Sequence, residues 1–570
     1  MPSDTSSTDK NTSTTSDNDF AHQEPYEPSV TMAELPTEIS IVTLNCWGLK
    51  YISKLRRERL TEIGRQLAIA DPQPQIVALQ ECFCHEDYLT IRRETRYILP
   101  YGKFYFAGAF GGGLAILSKW PIEESTMYRY PLNGRPTAFW RGDWYVGKGV
   151  ACAKIRYGPG PKHIIEVFNT HTHAPYESGP NDSYICHRTS QSWEISKLLR
   201  GAAERGHLVL GLGDFNMLPL SLEHQIVTSH APVQDVWRVL HPDSSVGPAY
   251  HHAEKARGRA VPTAEFNILE NCATSDGPFN TWRWLPKQQK RLGIGKPVVT
   301  VDPSTPDLRG KRLDYIFAGA GDVAANDGGW VVKRAAVGMM MRHPELGCSL
   351  SDHFAVEATL KFVPLKQQRD ENNNNNNNNS PFSNSHQTIK PTTTILNDAD
   401  NHLIQTGTCL QEPSSQGTSI AEDDAGTDTD DNLTYTKQLL AFNSPPPRLP
   451  PSGYDQILSL IHKYVAREQS QLKWRAYHFF SWLGVSIVCL IAVWFVPRNF
   501  VAFILMLVST LGLVAGTLDG LMSLLFFRSE LRALKEYEFE ILTAKALAEG
   551  KTPVVQQAGT EEDVDVGKQW

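Results

Sequence analysis

Two long apolar runs near the carboxyl end restrict what this chain of 570 residues can fold into. Residues 476–496 carry no charged side chain, and residues 500–527 carry one, Asp519. A helix of about 20 apolar residues crosses the hydrocarbon core of a bilayer. Only residues 497–499 separate the runs, so we predict a transmembrane helical hairpin, with a pair of core helices in a soluble domain as the alternative. The second run is long enough to tilt, which places Asp519 near the interface.

The charges around the hairpin predict its orientation. Basic side chains stand at both outer ends, namely Lys473 and Arg475 before it and Arg528, Arg532 and Lys535 after it. Because such residues stay on the cytoplasmic side, we expect a multi-pass membrane protein whose folded domain faces the cytosol. The nine cysteines are scattered without a Cys-x-x-Cys pair, which indicates free thiols in a reducing compartment. Residues 1–30 lack the apolar core of a signal peptide.

Composition predicts five segments along the chain. Residues 1–36 are polar and typical of a disordered tail, and residues 37–363 form a folded domain. Residues 364–452 contain eight consecutive asparagines at 372–379 and cannot bury a core, which indicates a disordered linker. Residues 453–540 hold the hairpin, and residues 541–570 form a polar C-terminal tail.

Short apolar runs alternate with helical patterns within the folded domain. The runs are bounded by glycine, proline and asparagine, as strands are. Residues 56–70 and 190–205 instead place apolar side chains at helical spacing. Strands mixed with helices and separated by long loops favour an α/β sandwich of two packed sheets.

Polar residues close several of the predicted strands. Asp214 and Asn216 follow one strand and point the same way because side chains alternate along an extended chain, although such a pair taken alone is more often a turn or a helix cap. Glu81 closes another strand and offers the oxygen ligand that Mg²⁺ prefers, with a solvated glutamate as the alternative. Asn45 closes the first strand, where a turn residue is also ordinary.

Histidines follow the same pattern. His171 and His173 alternate at a strand end, and a zinc pair there would lack a third ligand at suitable spacing. Asp314 is a candidate to fix the tautomer of His353, which follows a Ser-Asp pair. Acid, base and metal ligand in one chain point to metal-assisted hydrolysis of a phosphodiester.

The order of these motifs resembles the endonuclease/exonuclease/phosphatase superfamily, the fold of pancreatic deoxyribonuclease. The motifs are L-N-x-W-G at 44–48, L-Q-E at 79–81, T-H-x-H-A at 170–174, G-D-F-N at 213–216, L-D-Y-I-F at 313–317 and S-D-H-F-A at 351–355. The resemblance spans about residues 38–363. Within that superfamily, the run at 186–194 and the paired spans are similar to neutral sphingomyelinases and fungal inositol phosphosphingolipid phospholipase C.

The resemblance implies a metal site and a proton path. Glu81 would be the principal ligand of Mg²⁺, for which Mn²⁺ could substitute, with Asn45 beside it and Asp352 near the metal. Asp214 and Asn216 would position the attacking water and the phosphate.

The same resemblance implies that His353 is the general base, held by Asp314. His171 would stabilise the phosphoryl oxygens or protonate the leaving alkoxide, with His173 as the less certain alternative.

A glycine-rich segment at 142–149 matches G-x-x-x-x-G-K but has Gly149 where a nucleotide P-loop needs Ser or Thr. Neutral sphingomyelinases carry a similar segment in which an Asp and a Lys five residues apart form a conformational switch. Asp143 and Lys148 match that spacing, and a flexible hairpin is the alternative. Aromatic residues nearby, including Trp140 and Trp144, are suited to a lipid interface.

These resemblances imply a membrane-anchored phospholipase C that cleaves a phosphosphingolipid to ceramide and a phosphorylated head group, at the endoplasmic reticulum or the mitochondrial outer membrane. An anionic phospholipid is the expected activator. A nuclease of the same fold is the first alternative, but a net charge of −7 without a broad basic excess does not favour a nucleic-acid binder. An inositol polyphosphate phosphatase is the second. The head group and the oligomeric state stay open.

Overall fold

The computed structural model describes residues 35–177, 182–365 and 427–552. Nearly all of the predicted N-terminal tail, most of the predicted linker and residues 553–570 lie outside the described residues. From Thr37 onward the described residues form one compact unit.

Two six-stranded sheets form the centre of this unit. The first has the strand order β11-β12-β1-β2-β4-β3 and the second β5-β6-β7-β8-β10-β9. The strands are β1 (Glu38–Asn45), β2 (Ile76–Gln80), β3 (Tyr101–Tyr105), β4 (Leu114–Ser118), β5 (Ile122–Arg129), β6 (Gly149–Arg156), β7 (Ile164–His171), β8 (Leu208–Asp214), β9 (Gln234–Asp235), β10 (Asp314–Ala318), β11 (Gly328–Gly338) and β12 (Ala355–Pro364).

Helices cover the outer faces of the sheets and continue beyond them. They are α1 (Arg56–Ile69), α2 (His85–Thr95), α3 (Asp143–Val146), α4 (Ile185–Glu204), α5 (Leu222–His230), α6 (Val236–Leu240), α7 (His252–Lys255), α8 (Ala264–Leu269), α9 (Pro286–Gln289), α10 (Thr427–Asn443), α11 (Pro451–Val493), α12 (Asn499–Leu521) and α13 (Arg528–Ala548). A π-helical segment, Met522–Phe527, joins α12 to α13.

Burial on both faces explains the apolar runs that the sequence shows. Ile39 and Ile41 of β1 lie between the two sheets, whereas Leu44 lies under α1 against Leu60. A strand covered on both sides has apolar residues at successive positions instead of alternate ones. The predicted two-sheet α/β sandwich is confirmed.

Strand register brings the motif residues to one edge of the sandwich. β1 and β2 run parallel with Asn45 opposite Gln80, and β7 and β8 run parallel with His171 opposite Asp214. β10 runs antiparallel to β8 with Asp314 opposite Asp214. The carboxyl ends of four strands therefore meet the amino end of β10.

The two apolar runs lie in α11 and in α12 with its π-helical continuation, and the two helices pack as an antiparallel hairpin. A Cβ atom at Gly512 would lie 1.9 Å from the ring of Trp482, so the small residue is what lets the helices approach. Both are long and apolar enough to cross a membrane by length and composition. Asp519, predicted to lie near the interface, pairs with the Arg475 guanidinium, and its Oδ2 is 2.7 Å from His478 Nδ1.

The ends of the hairpin helices differ from the predicted segments. The first half of α11 and all of α13 pack on each other and on α4, with Ile457, Ile461, Leu534 and Ile541 buried against Trp193. Residues 541–548 are therefore the last turns of a packed helix and not part of a polar tail. Because Ile541 is fully buried, its burial outweighs the polar residues around it.

The predicted linker also contains structure. Helix α10 lies within it and buries Leu439 and Phe442 against Trp330 of β11. The side-chain oxygen of Gln438 accepts a 3.1 Å hydrogen bond from the backbone of Val332. A few well-placed apolar residues thus suffice to dock a segment whose composition alone indicates disorder.

Candidate active site

Asn45 stands at the centre of the edge where the strands meet, and it is 1% exposed. Its Nδ2 donates to Glu81 Oε1 at 3.2 Å and to Asp214 Oδ2 at 3.0 Å. Its Oδ1 accepts from the backbone N–H of Trp47 at 3.0 Å. The amide therefore bridges two carboxylates with its nitrogen, and the predicted role of Asn45 as a metal ligand requires the amide to turn over.

The backbone is strained where these side chains project. Trp47, Glu81 and Asn216 have φ angles of 47°, 54° and 46°. Non-glycine residues in this left-handed region are uncommon and cluster at functional sites. Gly213 has a φ of 142°, and a Cβ atom there would lie 1.9 Å from the carbonyl oxygen of Thr170. Glycine thus allows β7 and β8 to approach closely just before Asp214.

His353 is held by Asp314, as the sequence predicts. Its Nδ1–H donates to Asp314 Oδ2 at 2.8 Å, and the Thr274 hydroxyl donates to the same oxygen at 2.6 Å. Burial lowers the pKa of His353, but the carboxylates of Asp314 and Asp214 outweigh it and raise the pKa to about 10. The pair fixes the imidazole with Nε2 free to meet a water.

Of the two candidate histidines, His171 lies beside the carboxylates. Its Nε2 is 3.6 Å from Asp214 Oδ2 and 4.0 Å from Glu81 Oε1. Burial and the charge of Lys148 hold the pKa of His171 well below its usual range. His173 instead accepts a 2.6 Å hydrogen bond from Gln191 on its Nδ1.

The carboxylates fit a divalent cation. Burial and the charge of Asp352 raise the pKa of Glu81 to about 7, and burial with Asp314 raises the pKa of Asp214 to about 6. Glu81 Oε2 is buried without a hydrogen-bond partner among the described residues. Oxygen donors that lack a counter-charge are what Mg²⁺ binds.

Two further groups of atoms bear on that site. One oxygen or nitrogen each from Asp214, Asp314 and His353 lies within 4.8 Å of the others, close enough to share an ion. Asp352 lies farther out, with Oδ2 3.7 Å from Arg283, and acts on Glu81 through its charge.

The glycine-rich segment lies against the end of β7. Lys148 Nζ is 3.8 Å from Asp143 Oδ1 and donates to the carbonyl oxygen of Thr172 at 3.0 Å, an oxygen that also accepts from Asn216 at 3.2 Å. Burial lowers the pKa of Lys148 despite Asp143. Helix α3 precedes a strand here, which is the reverse of a nucleotide P-loop. Asp143 and Lys148 are therefore adjacent, and Lys148 shares an acceptor with Asn216.

Two residues that support the site are absent from the predicted set. Thr274 lies in the loop that follows α8 and fits no motif, so its contact with Asp314 is a product of tertiary structure. Asn169 joins the two sheets through hydrogen bonds with Gln80 at 2.7 Å and with the carbonyls of Leu79 and Ala115. Its place two residues before His171 on the same strand face is the signal that could have identified it.

The two-sheet fold and its edge of buried carboxylates with an Asp–His pair are suited to metal-assisted hydrolysis of a phosphate ester. The family model described as Endonuclease/Exonuclease/phosphatase family matches residues 42–353, and the chain belongs to this family.

Among curated proteins, the chain is 42% identical to the inositol phosphosphingolipids phospholipase C of Schizosaccharomyces pombe over 341 residues, which are 59% of this chain and 72% of that protein. It is 31% identical to the Saccharomyces cerevisiae protein of the same name over 529 residues, which are 89% of this chain and 90% of that protein. It is 32% identical to sphingomyelin phosphodiesterase 2 of Mus musculus over 184 residues, 32% of this chain and 42% of that protein.

Proposed function

We propose that the protein is a membrane-anchored, Mg²⁺-dependent phospholipase C that hydrolyses a phosphosphingolipid to ceramide and a phosphorylated head group. The observation that carries the proposal is the reach of the similarity to the S. cerevisiae phospholipase C, which covers 89% of this chain. The similarity therefore extends beyond the sandwich into the C-terminal helices. An inositol phosphate head group is favoured over choline phosphate because both fungal relatives carry that name.

The residues of the edge supply a path for the proton of the attacking water. His353 Nε2 accepts that proton while Asp314 holds Nδ1 and balances the new positive charge. The water oxygen forms a bond to phosphorus, and the bond from phosphorus to the ceramide oxygen breaks. Asp214 and Asn216 orient the water and one phosphate oxygen.

His171 acts as a hydrogen-bond donor in this proposal. Because its pKa lies well below the usual range, His171 is neutral near pH 7 and holds no spare proton for the alkoxide. Its N–H instead stabilises the phosphoryl oxygens, which is the first of the two roles that the resemblance implies. The alkoxide takes its proton from solvent.

Mg²⁺, held by Glu81 with Asp214 and the charge of Asp352, would supply positive charge to the phosphoryl oxygens and the leaving oxygen. The same charge would offset the carboxylates that raise the pKa of His353 and so favour its neutral, proton-accepting form. Asp143 and Lys148 are proposed to be the regulatory pair, and Lys148 shares the Thr172 carbonyl with Asn216.

The anchoring is part of the proposal. The spans at about 476–496 and 500–527 would place the catalytic unit, residues 37–363, on the cytosolic face, with the endoplasmic reticulum as the proposed site. Two helices of sufficient length and apolarity support it. An anionic phospholipid would act as activator.

The test is ceramide release by the full-length chain in mixed micelles. Inositol phosphosphingolipid and sphingomyelin are each supplied with Mg²⁺ or with EDTA, for the wild type, His353→Ala and the control His462→Ala, whose histidine side chain is 65% exposed. Loss of general-base catalysis should lower the rate of His353→Ala by at least about 10²-fold, with His462→Ala unchanged.

Four results would contradict the proposal. Activity on neither lipid, or an undiminished His353→Ala enzyme, removes the substrate class or the base. Release of inorganic phosphate from a soluble inositol phosphate without ceramide would replace it with a phosphatase. Nicking of plasmid DNA with no action on lipid would replace it with a nuclease.

A further inference from the structure

A groove of about 450 Å³ lies where the second hairpin helix meets the catalytic sandwich. The segment at 131–144 forms one wall, and the end of α12 with its π-helical continuation forms the other. Its principal lining residues are Pro136, Trp144, Leu521, Met522, Leu525 and Phe526. Its volume falls within the range of small-ligand sites.

Most of the helix side of the groove is apolar and open, and Ser529 and Glu530 complete it. Leu521 and Leu525 are 50% and 63% exposed, and Trp144 closes the opposite side with its ring 6.2 Å from that of Phe526. Residues 521–526 are the last part of the second apolar run, so the groove begins at the end of the proposed span. An apolar site at that depth borders lipid tails and not only water.

The sandwich side of the groove approaches the catalytic edge. A Cβ atom at Gly134 would lie 2.7 Å from His173 Nε2 and 3.2 Å from Asp143 Cβ. The absence of a side chain at Gly134 therefore lets this wall of the groove pack closely against His173 and Asp143, which border the candidate active site. His173 Nε2 and Asn133 Oδ1 are buried atoms without a hydrogen-bond partner among the described residues. The groove thus has an apolar opening and a polar end.

Exposed aromatic rings on neighbouring loops mark the same face. Phe106, Phe110, Phe139 and Trp140 are 68%, 63%, 69% and 71% exposed. The loop with Phe110 is joined to α3, because its backbone donates to the carbonyl of Tyr145. Aromatic residues concentrated beside a span are typical of the membrane interface. This face of the sandwich is therefore suited to lie on the bilayer.

We propose that the groove binds one hydrocarbon chain of a bilayer lipid. The chain would leave the bilayer along Leu521 and Leu525, pass Trp144, and point the polar part of the lipid towards His173 and Asp143. Bound in this way, a lipid is drawn part of the way out of the bilayer beside the catalytic edge. This inference rests on the proposed anchoring and names a lipid-chain site for the same enzyme.

The test uses two neighbouring leucines. Leu524 and Leu525 are 56% and 63% exposed on the same segment, but only Leu525 lines the groove. The wild type, Leu525→Trp and the control Leu524→Trp are placed in nanodiscs that contain a lipid with a photoreactive diazirine on its chain. One set carries a phosphosphingolipid and another a phosphatidylcholine, both in EDTA, and cross-linked peptides are identified by mass spectrometry.

We expect cross-links at Trp144, Met522 and Leu525 in the wild type and in Leu524→Trp. An indole that fills the groove should reduce the Trp144 cross-link about tenfold in Leu525→Trp. A signal from the phosphosphingolipid alone identifies the substrate as the occupant, and equal signals identify bilayer lipids in general.

Equal cross-linking of Trp144 in both variants, or its absence from the wild type, would overturn the inference. A peptide of this chain cross-linked in the groove in place of lipid would do the same. Because EDTA prevents metal-dependent turnover, these results do not depend on ceramide release. If the chain binds lipid in the groove but releases no ceramide, the proposed function is refuted and the inference that the groove binds lipid still holds.

Discussion

Acidification should weaken metal binding far more steeply than a single carboxylate ligand allows. Glu81 and Asp214 have pKa values raised to about 7 and about 6, so both are ionised at pH 8 and both hold protons at pH 5. A metal that binds these oxygens must displace the protons, so its affinity falls as the pH falls.

The magnitude follows from the two shifts. A pH of 5 lies about two units below the pKa of Glu81 and about one unit below that of Asp214, which makes about three units together. At 1.36 kcal/mol for each unit, the cost of ionising both groups is about 4 kcal/mol, or about 10³-fold in the dissociation constant of Mg²⁺. A lone surface carboxylate, with a pKa of about 4, would change that constant by less than about twofold over the same range.

Isothermal titration of the full-length chain with Mg²⁺ at pH 8, 7, 6 and 5 measures the constant directly, and the Mg²⁺-dependent rise in unfolding temperature gives a second readout. The Glu81→Gln variant should bind Mg²⁺ more weakly at pH 8, and its Mg²⁺ affinity should fall less steeply with pH than that of the wild type. The control Glu86→Gln, whose side chain is 78% exposed, should match the wild type. A Mg²⁺ affinity at pH 5 within about threefold of that at pH 8 would refute the reasoning, since it would place the metal away from these groups.

Three other substitutions test the fold and the site. Asp314→Asn should lower kcat by about 10²–10⁴-fold with ceramide release as the assay, because the amide no longer stabilises the charged imidazole; a pH–rate profile identical to that of the wild type would contradict this. Gly213→Ala should lower the free energy of unfolding by about 1–3 kcal/mol in urea denaturation, because the new methyl group meets a carbonyl oxygen of β7, whereas Gly201→Ala on a helix should not destabilise. Leu534→Ala should cost about 2–5 kcal/mol and increase hydrogen exchange in α4, since the side chain is fully buried in the docked helix pair, while Leu542→Ala, 39% exposed, should leave that exchange unchanged.

The candidate site was largely predictable because its residues lie at the ends of strands. Once the strands are known, side-chain alternation and position at a strand end place Asn45, Glu81, Asp214 and Asp314 at one edge. Strand register then determines which of these residues lie opposite one another. What the sequence could not indicate is the conformation at that edge. The left-handed backbone of Glu81 is set by the packing around it and not by any local preference of glutamate.

The docking of the C-terminal helices was not predictable from composition. Residues 451–475 and 528–548 carry mixed apolar and charged side chains, which is typical of an exposed juxtamembrane segment as well as of a packed one. The difference lies in distant partners: Trp193 donates to Glu540, and Tyr464 donates to Glu530 at 3.0 Å. Contacts between residues far apart in the chain leave no local pattern.

Helix α11 sets a distance as well as a contact. Ile461, buried in the docked cluster, and residue 476, where the proposed span begins, belong to one continuous helix. The 15 residues between them correspond to about 22 Å at 1.5 Å each, so the catalytic edge would stand at a fixed height above the lipid. Because α13 also packs on α4, four residues inserted into each of α11 and α13 would raise the catalytic edge by about 6 Å. Lengthening these helices would therefore move the catalytic edge away from the lipid. Lengthening a flexible linker would not.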